Sequence, residues 1–423
     1  MSAYQPIRGT RDLYGTQFSI YERIVDVAKE LAMVYGYDGI ETPVLEYTNV
    51  FQRTLGETTD MVGKEMYTFS DRGGDSITLR PEGTAPVVRA LISLGLTQKM
   101  PKKLMYHGPM FRYERPQKGR YRQFYQLGIE CLGISDPLAD VECMALACHM
   151  LEKLGIQNAL HLNTLGCADS RSAYRTALVN YFEKYVTDLS ADSQARLHKN
   201  PLRILDSKNP KDQEICTNAP VMKHYLQPEA AQFFETVCQG LDTLKIPYVL
   251  DAKLVRGIDY YCHTAFEFKS THLGAQDSLG GGGRYDSLMK QMGGPETPGV
   301  GWAFGVDRLM LVLENTFVAK QVEKVALIPV GDHLTAAALA LMQTLRHKGI
   351  ACEMTYSGHV GKRLKYAHKI GCTQAIIFGD EEWSQGNVLL RNLQFDDVDG
   401  KEQLVSVENL LKTEKVLKSR CST

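Results

Sequence analysis

The stretch FRYERPQKGRYRQFYQLGIE, residues 111–130, decides how this chain is read. Two strand-like runs flank a cationic loop that holds Arg115, Lys118, Arg120 and Arg122, and Arg112 closes the first run. In the second run side chains alternate with period two. Phe124, Gln126, Gly128 and Glu130 therefore share one face, and Tyr125, Leu127, Ile129 and Cys131 the other. One face is expected to be core and the other a polar floor. A solvated hairpin would account for Gln126 and Glu130 as well, but it gives no reason for Arg112 to stand at a strand end beside so basic a loop.

At 423 residues the chain exceeds one typical core and implies two or three domains, and 44% apolar residues suffice to bury them. A formal charge of −1 excludes a protein that holds nucleic acid by global positive charge, so any such contact has to come from local patches. The ten cysteines show no C-x-x-C pair and no metal-ligand spacing, and the closest two, Cys143 and Cys148, sit in an apolar helical stretch. Buried thiols in a reducing compartment are the expectation. No apolar run has the length of a membrane helix and the N-terminus lacks a hydrophobic signal core, so a soluble, cytoplasmic protein without a membrane partner is expected.

From Ile20, apolar residues recur at Ile24, Val27, Ala28, Leu31 and Tyr35, one buried helical stripe that Gly36 ends. Strand-like runs dominate to about Leu132, followed by a helix from Pro137 to Leu154 and the strand ALHLNTLG. Residues 167–247 change to a mainly helical pattern broken at Asn200-Pro201 and Asn209-Pro210, which reads as an inserted helical subdomain. Strands are expected to resume at Tyr248 and continue to Phe304, with a helix beginning near Gly305. The order predicts an α+β domain over 1–320, an antiparallel sheet with flanking helices and a helical insertion.

After about Asn315 the pattern switches. VALIPV, a helix bearing Leu334, Ala337, Ala338, Leu341 and Leu345, CEMTY, a second helix and AIIFG form a β-α-β-α-β series, so 321–423 reads as a small α/β domain. The strand pair NVLLRNL and QLVSV and a closing helix follow. A doubly wound nucleotide-binding domain is the alternative there, although its first turn, GDHLT, lacks a Gly-rich phosphate loop.

The opening stretch resembles motif 2 of the class II aminoacyl-tRNA synthetases, in the form found in the histidyl-tRNA synthetase family. LVRGIDYYCHTAFEF (254–268) resembles the first histidine-specific signature of that family, and GGGRYD (281–286) the second. RGTRDLYG (8–15) resembles the family's opening, and Pro43 in ETPVLE matches the motif 1 proline. RPEGTA (80–85) and GVGWAFGVDRL (299–309) fit the amino-acid loop and motif 3. The resemblance implies the class II synthetase fold with an anticodon-binding domain at 321–423, a homodimer, and ATP-dependent activation of L-histidine followed by transfer to the 3′ end of tRNA-His. One alternative is a histidine-sensing regulatory paralogue that serves a phosphoribosyltransferase of histidine biosynthesis. Such proteins typically lack the C-terminal domain and degrade the arginine set, both of which this chain keeps. A non-catalytic, RNA-binding pseudo-synthetase is a second alternative.

Amino acid activation requires a carboxylate to attack the α-phosphate in line, so two anions must be held together while charge develops between them. Guanidinium groups suit this because they stay charged and donate through a planar fork. The resemblance assigns Arg112 to the α-phosphate and the substrate carboxylate, and Arg308 to the γ-phosphate. It assigns Arg256 to the far side of the α-phosphate, where many class II enzymes would use a metal ion. No protein-bound metal is therefore expected beyond the Mg2+ carried with ATP. The same resemblance places Glu82, Thr84 and Gln126 at the α-amino group and Glu130 and Tyr261 at the imidazole; Gly83, Arg112, Arg256 and Tyr260 complete the histidine set. Glu130 lies two pleats from Gln126, roughly 13–14 Å at ~3.4 Å per residue. A buried Glu at one ring nitrogen and a Tyr hydroxyl near the other would fix the tautomer and reject side chains lacking polar atoms.

The run LGGGGRYDSL lacks a following Walker-type Lys-Ser/Thr, so it reads as close backbone approach to a ligand or as a tightly packed turn. The Tyr261-Cys262-His263 triplet departs from the tyrosine-asparagine-arginine common in the family, and adjacent strand residues face opposite ways, so Cys262 and His263 are no nucleophile-base pair. RNA contacts are expected from Arg115, Gln117, Lys118, Arg120 and Arg122 in the hairpin. A second set is Lys362, Arg363, Lys365 and Lys369 on one helix, for which a merely solvated face is the alternative.

Overall fold

The period-two run is a ten-residue strand, β6, and its partner across the basic loop is β5; the pair is one piece of a larger sheet. The strands of the first part of the chain are β1 (Asp38–Gly39), β2 (Leu45–Tyr47), β3 (Tyr67–Ser70), β4 (Ser76–Leu79), β5 (Lys102–Phe111), β6 (Gln123–Leu132), β7 (Ala159–Thr164), β8 (Tyr248–Leu250), β9 (Cys262–Lys269), β10 (Ser278–Arg284) and β11 (Gly299–Gly305). Eight of them lie in the order β1-β5-β6-β11-β10-β9-β7-β8. All inner pairs are antiparallel, while the edge pairs β1/β5 and β7/β8 are parallel, so the sheet is mixed at its rims. A separate three-stranded sheet runs β2-β4-β3. The computed structural model describes residues 4–55, 61–258, 260–274, 277–318, 323–393 and 402–412.

One face of the large sheet packs as the alternation predicts. Leu127 and Ile129 of β6, Val300, Trp302 and Phe304 of β11 and Phe266 and Phe268 of β9 form one core. Helix Thr16–Val34 lays Ile20, Ile24, Val27, Ala28 and Leu31 on it. Helix Leu138–Lys153 covers the rest, with Trp302 Nε1 donating to the Cys143 carbonyl at 2.8 Å. Each such fully buried side chain contributes about 1.5–3 kcal/mol. Gly36 follows the first helix with φ +76°, a conformation that a side chain would oppose.

One expectation needs correction. The strand pattern does not continue from Tyr248 through the first histidine-type signature: β8 ends at Leu250, β9 begins at Cys262, and turns and loop lie between. Because β8 and β9 flank opposite sides of β7, the chain must cross the end of β7 between Leu250 and Cys262. The glycine run lies within the expected strands, as β10, and its close approach is to neighbouring backbone. A Cβ at Gly282 would lie 1.9 Å from the Gly301 carbonyl oxygen, so neighbouring backbone leaves no room for one.

The insertion is helical as expected, from helix Ala168–Phe182 to helix Pro228–Thr243. Its own core includes Tyr174, Leu178, Phe182 and Ile204. Asn209 caps helix Pro210–Cys216 through its side chain, which accepts from the Lys211 N–H at 2.9 Å.

By contacts the chain splits into two units, Met1–Val318 and Ala319–Thr423. The boundary expected at 320/321 lies outside the described residues. In the second unit, β12 (Lys324–Pro329), β13 (Ala351–Met354), β14 (Cys372–Phe378), β15 (Asn387–Asn392) and β16 (Gln403–Ser406) run in the order β13-β12-β14-β15-β16. The first three are parallel and the last two add antiparallel, which departs from a doubly wound sheet. Among the described residues no helix is long and apolar enough to cross a membrane.

Candidate active site

The register of β6 with its neighbours builds the floor. Gln126 stands opposite Gly108 and Gly305, Gly128 opposite Tyr106 and Ala303, and Glu130 opposite Leu104 and Gly301. Along β11 this face reads Gly299, Gly301, Ala303, Gly305, while Val300, Trp302 and Phe304 point into the core. Small residues are required here, since a Cβ at Gly301 would lie 2.1 Å from Glu130 Oε2. The polar face is itself largely buried, because helix Thr84–Ser93 and a group of tyrosines cover it. It is a floor beneath other residues and not a solvated surface.

Glu82 caps that helix, accepting from the Thr84 N–H at 2.6 Å and the Ala85 N–H at 2.8 Å. Burial pushes its pKa up, against the pull of those N–H groups and of Arg112. Thr84 Oγ1 donates to Glu130 Oε1 at 2.7 Å, and the Tyr285 hydroxyl donates to Glu130 Oε2. Burial raises the Glu130 pKa to about 8 despite both hydrogen bonds. Glu130 is 1% exposed and lies under the cavity rather than in its wall. Gly83 is the N-cap, and a Cβ there would meet the Tyr106 ring at 2.1 Å, so its part is close packing. Tyr260, Tyr261 and Tyr285 pack tilted and edge-on, with ring centroids of Tyr260 4.7 Å from Tyr261 and 5.5 Å from Tyr285.

Above this end opens a cavity of about 210 Å³, lined among others by Glu82, Thr84, Arg112, Gln126, Arg256, Tyr260, Tyr261 and Arg308. The three arginines arrive from three places. Arg112 follows β5, donates Nε to the Pro81 carbonyl at 2.9 Å and lies over the Phe124 ring. Arg308 stands in the first turn of helix Val306–Leu313 and donates Nη1 to the Ser278 carbonyl at 2.7 Å. Arg256 comes from the crossing loop, 3.5 Å from Glu267 Oε1. Burial, and to a smaller extent Arg120 and Arg112, lowers the Arg308 pKa, against the pull of Glu114 and Glu267. Arg256 Nε and Gln126 Oε1 are buried without a hydrogen-bond partner, so a donor and an acceptor both stand open.

The proposed RNA contacts divide. Arg115, Gln117 and Lys118 are exposed at the hairpin tip. Arg120 instead lines the cavity and pairs with Glu114 at 3.3 Å, and Arg122 stacks on Tyr113 at 3.8 Å, so neither is free at the tip. In the second unit Lys362, Lys365 and Lys369 are exposed on helix Val360–Lys369. Arg363 is not part of that patch: it is 4% exposed and donates Nη1 to the Pro329 carbonyl at 2.8 Å.

Comparison with known proteins agrees with this architecture. Residues 9–309 match the family model of histidyl-tRNA synthetase, and residues 324–417 that of an anticodon-binding domain. The chain belongs to the histidyl-tRNA synthetase family. The histidine–tRNA ligase of Gluconacetobacter diazotrophicus is 50% identical over 388 residues, 91% of this chain and 93% of that protein. That of Rhodospirillum rubrum is 50% identical over 395 residues, 93% of this chain and 95% of its own length. The crystal structure of apo Staphylococcus aureus histidyl-tRNA synthetase superposes with a TM-score of 0.82 at 34% identity, covering 97% of this chain and 99% of that one. A Bacillus halodurans chain described as an ATP phosphoribosyltransferase regulatory subunit/histidyl-tRNA synthetase shares the fold, with a TM-score of 0.63 at 24% identity over 83% of this chain and 92% of its own.

Within this synthetase-family site two residues carry contacts that the sequence reading left unassigned. Tyr285 lies in the GGGRYD block, yet its bond to Glu130 spans 155 positions and is invisible to local patterning. Glu267 falls on the floor face by the alternation of AFEFK, but its partner Arg256 comes from a loop.

Proposed function

We propose that the chain is a histidine–tRNA ligase, which activates L-histidine with ATP and esterifies the 3′ end of tRNA-His. The observation that carries this is the convergence of Arg112, Arg256 and Arg308 over one cavity whose closed end holds Glu82, Thr84 and Gln126, with Glu130 beneath. A phosphate chain fits the cationic stretch, and an ammonium and an imidazole fit the acidic end. In this reading the histidine carboxylate bonds to the α-phosphorus and pyrophosphate leaves with its Mg2+. Arg112 and Arg256 neutralise the charge that builds on the α-phosphate, and Arg308 holds the γ-phosphate. Gln126 Oε1 and Glu82 accept from the ammonium. Tyr261, which lines the cavity, faces the imidazole, and Glu130 beneath acts through the Thr84 and Tyr285 hydroxyls that it orients. The ribose hydroxyl of the tRNA end then attacks the acyl carbon and AMP leaves.

The regulatory alternative is not favoured, since the chain keeps all three arginines and matches the anticodon-binding model over 324–417. For RNA, the exposed hairpin tip offers Arg115 and Lys118 to the acceptor end. Lys362 and Lys365, beside the exposed Tyr366, offer phosphate contacts and a stacking surface to the anticodon end. A homodimer is supported by the three-stranded sheet, one face of which sets Leu79 between Leu45 and Tyr67, and Ile77 between Tyr47 and Phe69. Leu45, Tyr47 and Phe69 are each about half exposed, an apolar surface suited to a second copy. We place the protein in the cytoplasm with its substrates. Histidine-dependent ATP–pyrophosphate exchange tests the whole reading. Exchange that requires histidine is the expected result, and a folded protein without it would overturn the assignment.

A further inference from the structure

We propose that Glu267 is a positioning residue that sets the Arg256 guanidinium, and that Ser278 ties this pair to Arg308; the proposal rests on the adenylation reading above. The floor row Gly128, Ala303, Gly281, Glu267 crosses β6, β11, β10 and β9, so Glu267 ends the row on the same face as the cavity. Arg256 lies over the bare Gly281, where a Cβ would come within 2.9 Å of Nη1. Beyond that glycine the guanidinium meets Glu267 Oε1 at 3.5 Å, and its carbon stands 5.7 Å from the centre of the Tyr261 ring.

Besides Arg256, Glu267 meets two groups. Ser278 Oγ donates to Oε1 at 2.7 Å, and Lys269 Nζ stands 3.8 Å from Oε2. Lys269 is in turn 3.4 Å from Asp251, which pairs with His161 at 3.0 Å. The carbonyl of Ser278 accepts from Arg308 Nη1. One residue thus holds the carboxylate that orients Arg256 with its side chain, and holds Arg308 with its backbone. Arg256 enters from a loop that crosses a strand end, so its own backbone gives it little rigidity. A carboxylate anchored to the sheet supplies that rigidity. The pairing also leaves Nε of Arg256 unpartnered. In this arrangement Glu267 pairs with Nη1 of the guanidinium and leaves Nε for a phosphate oxygen.

A group that acts only by orienting another should change the rate far more than binding, and its effect should vanish once the other is removed. The test is a double-mutant cycle of Glu267→Ala and Arg256→Ala, read by histidine-dependent exchange and by single-turnover adenylate formation, so that slow rates remain measurable. Glu267→Ala is expected to lower kcat about 10- to 50-fold, with KM for histidine and ATP within about 3-fold, and to cost nothing further in the Arg256→Ala background. Glu267→Gln keeps an acceptor for both Ser278 and Arg256 and should restore part of the rate; being isosteric, it carries the test if the alanine variant melts early. Losses from the two alanine substitutions that multiply, or a Glu267→Ala enzyme at wild-type rate, overturn the positioning role. An inactive wild type overturns the adenylation reading instead, and the positioning role with it.

Discussion

The floor of the large sheet and the exposed face of helix Val360–Lys369 both present polar groups, and they present them in opposite ways. On the floor, Glu82, Thr84, Glu130 and Tyr285 are buried and bonded to one another or to a helix end before any ligand arrives. On the helix, Lys362, Lys365 and Lys369 are exposed, and the one arginine among them turns inward to the sheet. Fixed dipoles in a dry site select a small molecule by geometry, because every misplaced polar atom costs a buried hydrogen bond. Mobile surface charges select a polyanion by number, and salt weakens them. Single substitutions on the floor should therefore act steeply and specifically, and single substitutions on the helix weakly and additively.

The steepest effect belongs to Arg256. Arg256→His is expected to depress adenylate formation by about 100-fold or more, the scale of losing one preorganised donor, ~3 kcal/mol, with histidine affinity almost unchanged. Rapid-quench measurement of adenylate decides it, and a variant at near wild-type rate would remove Arg256 from the chemistry.

Glu130 comes next. Glu130→Ala leaves Thr84 and Tyr285 without their acceptor and should raise the KM for histidine about 10- to 100-fold while that for ATP moves little, since a site built to bond a polar group fails sharply without it. Equal rises for both substrates would make Glu130 a structural element and erase the contrast from one side.

The helix should respond more gently. Lys362→Ala and Lys365→Ala together are expected to weaken tRNA charging about 3- to 10-fold at moderate salt, to reduce the slope of log affinity against log salt by about two, and to leave pyrophosphate exchange untouched. Filter binding across a salt series measures the slope. An unchanged slope would mean that these lysines are merely solvated.

How much of this was legible follows from the range of each signal. The β6 alternation, the helix at 138–153 and the α/β order after Lys324 are short-range periodicities, and they appear as read. The small-residue face of β11 was also on the page, in the alternation of GVGWAFG, although its meaning needed the register against Glu130. Three features escaped for physical reasons. Burial of the polar floor depends on helix Thr84–Ser93 covering it from a distant part of the chain. The crossing between Leu250 and Cys262 depends on which side of β7 each neighbour joins, which no local pattern encodes. Charge alone groups Arg363 with its lysines, whereas helical spacing puts it with Ala367 on the buried side.

The smallest effect is also the one that isolates the buried carboxylate from everything else. Glu130 has a pKa of about 8 in the folded protein, raised by burial from an ordinary value of 4.5. Between those two values the folded chain keeps a proton that the unfolded chain has released. Stability therefore falls as pH rises through this window: the contribution is complete below about 4.5 and is lost as pH passes about 8. Glu130→Gln cannot ionise, so its melting temperature in the absence of ligands should fall less between pH 5 and pH 9 than that of the wild type, by a few degrees in a chain this long. Other buried acids contribute to both curves and cancel in the difference. Calorimetry of the two proteins across that range gives the answer. Curves that stay parallel would mean that Glu130 is already ionised at neutral pH, held by Thr84 and Tyr285. The floor would then present a full negative charge to the imidazole rather than a shared proton.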